Sequence, residues 1–581
     1  MAESSYWNRF WRRRMSRRAI LGAGAVTALG AATAGVIGCN DSGSGSDGGN
    51  GSPGATGAAE TTPGSALDLT PVPGGSITQG RLINALGIDP HIDLTGFGII
   101  DLMYTYLYSW RASVEEPILN NFVTEMELPD ATHFNFTLRP GIKVWPAPYG
   151  GIAADDELTS TDCKESFLRR GTALTAPDKR YPQRFLPEKG GRLETPDPHT
   201  FNIVLTRPFI PALQDMAGTS WAIMPAKVID KYPAGFSQKA FGSGPFMMEE
   251  FRGSERIILK KHPNFFLNPR PYLDEIKIIV ITEGSSLLAA FRSGQHDVNG
   301  AILTKADADD LMEDDRFDVD KFPSLFYPVI HLKVKKPPFN DIRVREAIDL
   351  ALDRDEFINV IWSGEGAYNG PIQWPQVKWA LPQEELRTFQ RHDPERAKQL
   401  LAEAGLPDGF RTKMKLPKLP GAAVIGDMAV LIKDQLGRVG INIELDEVEL
   451  GAYITSTILP GNFDMTFFPN LPYQEPDRPL SFYHSKGVTG TGNWTNYNNP
   501  DLDVLIDAQA EEFDVEKRRD IILQAQRMIL PEYGPQLTLP GSFGYAARWK
   551  HVHVPTTVTG LGLELATDAG PTGADIWTDK E

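Results

Sequence analysis

The chain predicts an α/β fold divided into at least two lobes, and three observations carry that prediction. Its 581 residues exceed what one hydrophobic core fills. Its composition is 41% hydrophobic, 10% aromatic and 23% charged, which excludes a disordered, collagenous or multi-span membrane chain. From Gly74 to the C-terminus, strand and helix signals alternate.

The elements follow in order. Phe134-Asn135-Phe136-Thr137-Leu138 and Phe201-Asn202-Ile203-Val204-Leu205 alternate apolar and polar residues, the period of a half-buried strand. Leu273 to Ile281 is a strand run. Ser285-Ser286 is the expected cap of a helix striped by Leu287, Leu288 and Phe291 and stopped by Gly294, after which Asp297-Val298 resumes a strand. So tight a strand–helix–strand unit predicts a parallel crossover. Asp341 precedes the helical stripe Val344, Ala347, Ile348 and Ala351, and Asp353 precedes Phe357, Ile358 and Ile361. Asp393-Pro394-Glu395 starts another helix, with proline at its first position and an acid near its positive end. A helix around Met428 to Gly437 leads into the alternating strand Ile441–Leu445. Every stripe is read as core.

The front end says where the protein lives. Six arginines between Arg9 and Arg18 precede an uncharged Ala/Gly-rich run from Ala19 to Gly38. That run has little apolar area per residue and no second basic flank, so residues 1–38 read as a removable export segment, not an anchor. Ser16-Arg17-Arg18-Ala19-Ile20-Leu21 resembles a twin-arginine signal, and Val36-Ile37-Gly38-Cys39 resembles a bacterial lipobox. Cys39 is then the expected lipidation site, mooring the protein to the outer face of the cytoplasmic membrane or in the periplasm. Residues 39–72 are mainly Gly, Ser, Ala, Thr, Pro and Asp with almost nothing to bury, which predicts a disordered tether spanning roughly 30 Å.

Charge and missing motifs narrow the function. With 58 Lys+Arg against 75 Asp+Glu, the net charge is −17, which argues against a nucleic-acid partner. Removing the leader's six Arg and one Glu leaves 52 basic and 74 acidic residues, a net of −22. Two cysteines exclude a disulfide framework or cysteine-built metal cluster, and Cys163 is expected as a small buried helix residue. No nucleophile elbow, His-Glu-x-x-His pair, phosphate loop or dinucleotide fingerprint stands at a strand–helix junction. His551 and His553 share a strand face, but two nitrogens without a third ligand read as a solvated strand end. No catalytic residue, cofactor or metal is assigned.

Several blocks in one order carry a resemblance. Phe241-Gly242-Ser243-Gly244-Pro245-Phe246, Asn264-Phe265-Phe266, and Pro271-Tyr272-Leu273-Asp274-Glu275-Ile276 come first. Ala289–Val298, Lys336–Arg345, Ala351-Leu352-Asp353-Arg354, Asp393–Gly405 and Tyr497–Asp503 follow. Together they resemble the family 5 extracellular solute-binding proteins, the dipeptide, oligopeptide and nickel receptors of ABC importers. The resemblance spans roughly 74–550 and implies a two-lobed periplasmic-binding-protein-like fold of the type II, large peptide-binding class. It implies lobe one at 73–325 with an extra subdomain at about 110–215, lobe two at 326–535, and a return to lobe one with the tail at 536–581. The expected function is a monomeric, lipid-anchored, non-enzymatic receptor that closes on a peptide or similar solute and presents it to permease subunits. An oligosaccharide or metal-chelate ligand, a sensor or chaperone role without a permease, and a secreted lipoprotein hydrolase stay open as alternatives.

The resemblance also suggests ligand contacts. Peptide receptors of the family place an amine-binding aspartate after the strand at 463–468, and here that position falls at Pro472, which puts an ordinary peptide in doubt. Glu475 and Asp477 are candidate substitutes. Trp494, in a Gly-rich loop, and Tyr473 are candidate stacking residues; Trp374 and Trp379 lie in a Pro-rich loop that faces the cleft in relatives, and both read equally as contact or packing. His91 and Thr95, after the Asp89-Pro90 turn, complete the set.

Overall fold

Phe134 and Phe136 turn to one face of the strand His133–Leu138 and are buried there, while Asn135 and Thr137 alternate with them. This strand belongs to a five-stranded antiparallel sheet ordered Met15–Ser16, Val123–Asp130, His133–Leu138, Thr200–Val204, Arg192–Asp197. The helix Ser160–Thr172 packs on it through buried Cys163 and Phe167, the latter set edge-on to Phe201 with ring centroids 5.3 Å apart. The cysteine is a core residue of a helix, as its surroundings in the sequence suggest. The computed structural model describes residues 15–16, 70–554 and 573–580, apart from gaps at 83, 94–95, 97, 112–115, 120, 173–181, 234, 302, 325–326, 419–422, 459, 471–474 and 487–493.

A second, eight-stranded sheet runs Phe317–Pro323, Gly541–Trp549, Val298–Gly300, Ser76–Arg81, Glu275–Val280, Arg256–Lys261, Phe246–Arg252, with Gly366–Ala367 added beside Gly541–Trp549. Ser76–Arg81 lies between Glu275–Val280 and Val298–Gly300 and parallel to both, with Gly284–Arg292 as the crossover helix. The helix cap corrects the sequence expectation. Glu283, not Ser285-Ser286, occupies the cap, and its carboxylate accepts from the amides of Ser285 (3.0 Å) and Ser286 (2.6 Å). Two acceptor oxygens satisfy two orphan amides where a hydroxyl satisfies one.

The third sheet runs Ile441–Glu449, Phe410–Lys418, Met465–Asn470, Tyr327–Leu332, Gln536–Thr538. All six residues of Tyr327–Leu332 are buried, as a strand near the middle of a covered sheet requires. The helix caps here stand where the acids predict. Asp341, Asp353 and Asp393 accept from the amides of Arg343, Glu356 and Arg396 at the heads of the helices Ile342–Ala351, Arg354–Val360 and Pro394–Glu403. The first and third of these pack together through Val344, Ala347 and Ile348 against Ala397, Leu400 and Leu401, all buried. A fully buried leucine or isoleucine contributes about 1.5–3 kcal/mol.

We label the first two sheets, with the helices on them, lobe one and the third sheet, with its helices, lobe two. The chain passes between them twice, from Phe317–Pro323 to Tyr327–Leu332 through 324–326, and from Gln536–Thr538 to Gly541–Trp549 through 539–540. The block Phe241–Phe246 is structural. A Cβ at Gly242 would stand 1.8 Å from the carbonyl oxygen of Met103, and the Gly244 amide donates to that oxygen at 2.9 Å. Among the described residues, no helix is long and apolar enough to cross a membrane.

Candidate functional site

The two crossings lie side by side, and a loop of lobe two is built onto them. The Ser324 amide donates to the Ser542 carbonyl at 3.0 Å. Asn369, almost wholly buried, donates from Nδ2 to the Leu539 carbonyl (3.0 Å), while its Oδ1 accepts from the Trp374 amide (3.0 Å). Trp362 Nε1 donates to the Pro540 carbonyl at 2.9 Å. Trp374 is thereby fixed at the junction, its ring edge-on to Phe543 of lobe one with centroids 5.3 Å apart. Its indole Nε1 is buried without a partner among the described residues.

The lobes meet again far along the chain from these crossings. The Ile210 amide of lobe one donates to the Ala510 carbonyl of lobe two at 2.9 Å. Glu511, at the end of the helix Pro500–Glu511, takes ion pairs from Arg184 (3.3 Å) and Arg207 (3.2 Å). The lobes are therefore held together by the covalent crossings in one place and by this rim in another.

The residues singled out in the sequence fall in separate places, each with its own partners. Trp494 belongs to lobe two, half-buried against His331 and Phe482, with its Nε1 3.4 Å from His331 Nδ1. An indole nitrogen only donates, so His331 Nδ1 is the acceptor there. Lys333 holds the backbone below it, donating to the Gly461 carbonyl at 2.9 Å and to the Trp494 carbonyl. Burial holds the Lys333 ammonium below the ordinary lysine range.

Glu475 and Asp477 occupy a buried network instead of an open wall. The Glu475 carboxylate pairs with the Arg518 guanidinium and accepts the Asp477 amide at 2.5 Å. Asp477 accepts from Gln509 Nε2 at 2.5 Å, and the Gln509 Oε1 in turn accepts from Arg518. Burial pushes the Glu475 carboxyl up to about 7, against the pull of Arg518. Trp379 lies beneath, with the Arg518 guanidinium 5.3 Å above its ring, a packing role.

His91 is buried in lobe one, where its Nε2 meets the Ala222 carbonyl at 2.9 Å. Burial and the neighbouring Arg169 hold its pKa down to about 3, so the ring is neutral. Asp89, two residues earlier, takes Arg169 bidentately at 2.9 and 2.6 Å, so the Asp89-Pro90 turn also anchors a helix. His551 and His553 are bound into the C-terminal region, the first 2.9 Å from Asp297 and the second stacked on Trp577 at 3.9 Å. Tyr473, Thr95, Cys39, the export segment apart from Met15–Ser16, and the tether apart from residues 70–72 lie outside the described residues.

Sequence reasoning passed over Arg170, Arg184, Arg478 and Glu511, which stand where the lobes approach. One signal was available: Arg169-Arg170 sits in an amphipathic helix, and adjacent residues point about 100° apart, so one of the pair was bound to turn inward.

Comparison with known proteins places the architecture. A sequence profile of the bacterial extracellular solute-binding proteins, family 5 middle region, matches residues 121–493. A dipeptide-binding protein of Escherichia coli (strain K12) is 25% identical over 433 residues, covering 71% of this chain and 78% of that protein. Among solved structures, an ABC transporter-associated periplasmic binding protein of Helicobacter pylori in complex with the peptide STSA superposes with a TM-score of 0.74 at 22% identity. That match covers 88% of this chain and 99% of the other. A periplasmic binding protein from A. tumefaciens R10 in complex with agropinic acid gives 0.75 at 22% identity, covering 87% and 99%. The two-lobed body is the fold of these binding proteins, and the chain belongs to the bacterial extracellular solute-binding proteins of family 5, which are receptors and not enzymes.

Proposed function

We propose that this protein is an exported, lipid-anchored receptor that closes its two lobes on a peptide or similar small solute and passes it unchanged to the permease of an ABC importer. One observation carries the reading: the lobes are joined covalently only at two adjacent crossings, 324–326 and 539–540, and touch again at the rim through Ile210–Ala510 and the Glu511 ion pairs. Two bodies on a double hinge with a reversible rim can bend apart, admit a guest and bury it. Burial then supplies affinity, about 25 cal/mol per Å² of apolar surface removed from water.

The remaining parts of the proposal rest on the sequence. Cys39 receives the lipid after residues 1–38 are removed, 39–72 is the tether, lobe one runs from 73 to 325, lobe two from 326 to 535, and the chain returns at 536–581. The hand-over to a permease follows the Helicobacter pylori relative, an ABC transporter-associated periplasmic binding protein. Trp374 supports a contact role, because it stands at the junction of the lobes with an unused indole donor. Trp494 supports a packing role as much as a contact, since His331, Phe482 and Lys333 already surround it.

A specific observation favours a second ligand class. Pro472 stands where peptide receptors of the family carry an amine-binding acid, and a fold relative holds agropinic acid, so an acid-bearing solute without a peptide amino terminus fits as well. Native mass spectrometry of the full chain, isolated with whatever it binds, tests the receptor reading. A small molecule released unaltered on denaturation is expected. A chemically converted molecule would exclude capture without chemistry.

A further inference from the structure

The helix Ser160–Thr172 carries Arg170 into the interior, where only 2% of the residue is exposed. Its Nη1 donates to the His91 carbonyl at 2.8 Å. The other edge of the guanidinium is open: Nε and Nη2 are both buried, and neither meets a hydrogen-bond acceptor among the described residues. Nε and Nη2 form the side-on fork, two parallel N–H donors whose spacing matches the two oxygens of a carboxylate.

The surroundings do not supply that acceptor. Asp89, another acid acting on Arg170, is committed bidentately to Arg169. Asp215 is the strongest opposite charge acting on Arg170, yet it makes no hydrogen bond to the fork. The next charge is another cation, Arg478, buried in the helix Asp477–Ser481 of lobe two. A guanidinium taken out of water with two donors idle and a like charge beside it is costly. The Arg478 neighbour also places Arg170 at the boundary of the lobes.

We propose that the Nε/Nη2 edge of Arg170 is the carboxylate-binding subsite of the receptor, completed by Arg478 when lobe two closes, so that the captured solute bears a buried carboxylate. The inference rests on the receptor reading above and names the substrate class that reading leaves open. It also gives closure a chemical trigger. An anion between two cations from opposite lobes turns their repulsion into a bridge, so the guest itself favours the closed form.

The test compares two pools on the unaltered full chain by native mass spectrometry: the small-molecule fraction of yeast extract, and the same fraction after methyl esterification, which removes the negative charge of each carboxylate. Retention of solute from the untreated pool, reduced about tenfold or more by esterification, is expected. Arg170→Gln should lower retention from the untreated pool to the esterified level, while Arg170→Lys, a cation without the fork, should fall between them. If Arg170→Gln does not fold, the pool comparison on the unaltered chain still decides. Equal retention from both pools overturns the carboxylate subsite and leaves the receptor standing. Retention from neither pool overturns both.

Discussion

The two places where the lobes meet are built differently. At the crossings the contacts are backbone continuity and buried hydrogen bonds: Ser324 to Ser542, Trp362 to Pro540, Asn369 to Leu539, and the bridge from Gly366–Ala367 onto Gly541–Trp549. At the rim they are one backbone hydrogen bond and two ion pairs on a single glutamate, which is itself one-third exposed. Buried hydrogen bonds are expensive to leave unmade, whereas an ion pair with a half-exposed partner, such as Arg207–Glu511, exchanges readily with water; Arg184, the other partner, is buried. The difference teaches which side bends and which side parts: the crossings keep the lobes in register while the rim opens.

That contrast can be broken by substitution, beginning with the largest effect. Arg518→Met leaves Glu475 buried and unpaired inside lobe two, and should cost about 3–5 kcal/mol in chemical denaturation. A loss under about 1 kcal/mol would mean that Glu475 reaches solvent or ligand. Asn369→Ala orphans the Leu539 carbonyl and the Trp374 amide at the crossings, and about 2–3 kcal/mol is expected, read the same way.

Acid should act on the lobe interiors. Burial holds His91 and His331 at about 3 and His262 and His296 at about 4, below the ordinary histidine value. The unfolded chain therefore binds more protons than the folded one between about pH 4 and 6.5, and stability falls as pH falls through that window. The slope should approach about 1.4 kcal/mol per pH unit for each histidine kept neutral. Urea midpoints across pH 4 to 7 check it, and a flat profile would show that these rings reach water.

The smallest effect belongs to the rim. Glu511→Gln should change stability by less than about 1 kcal/mol. It should also weaken solute binding by no more than about fivefold, because only closure loses an interaction. A loss as large as that from Asn369→Ala would erase the distinction between the two sides.

Much of the fold was legible because its signals are local. Asp341, Asp353 and Asp393 cap helices whose first amides lie two or three residues away, so spacing alone predicts them. Glu283 was missed in favour of Ser285-Ser286 because a glutamate cap looks like an ordinary surface acid until its carboxylate is seen folding back on two amides. The space between the lobes was less legible, for a physical reason. Glu475 meets Arg518 across 43 residues, and Arg170 answers to a charge 308 positions away in the other lobe. Whether an acid or arginine is solvated, paired or poised for a guest depends on such distant partners, and no periodicity records them.

Small-angle scattering of the full chain, before and after addition of the molecule recovered by native mass spectrometry, tests most directly whether the lobes move as bodies about their crossings. A smaller radius of gyration with the guest present, and a more expanded unliganded form in Glu511→Gln, is expected. Superimposable profiles with and without a guest that demonstrably binds would contradict closure.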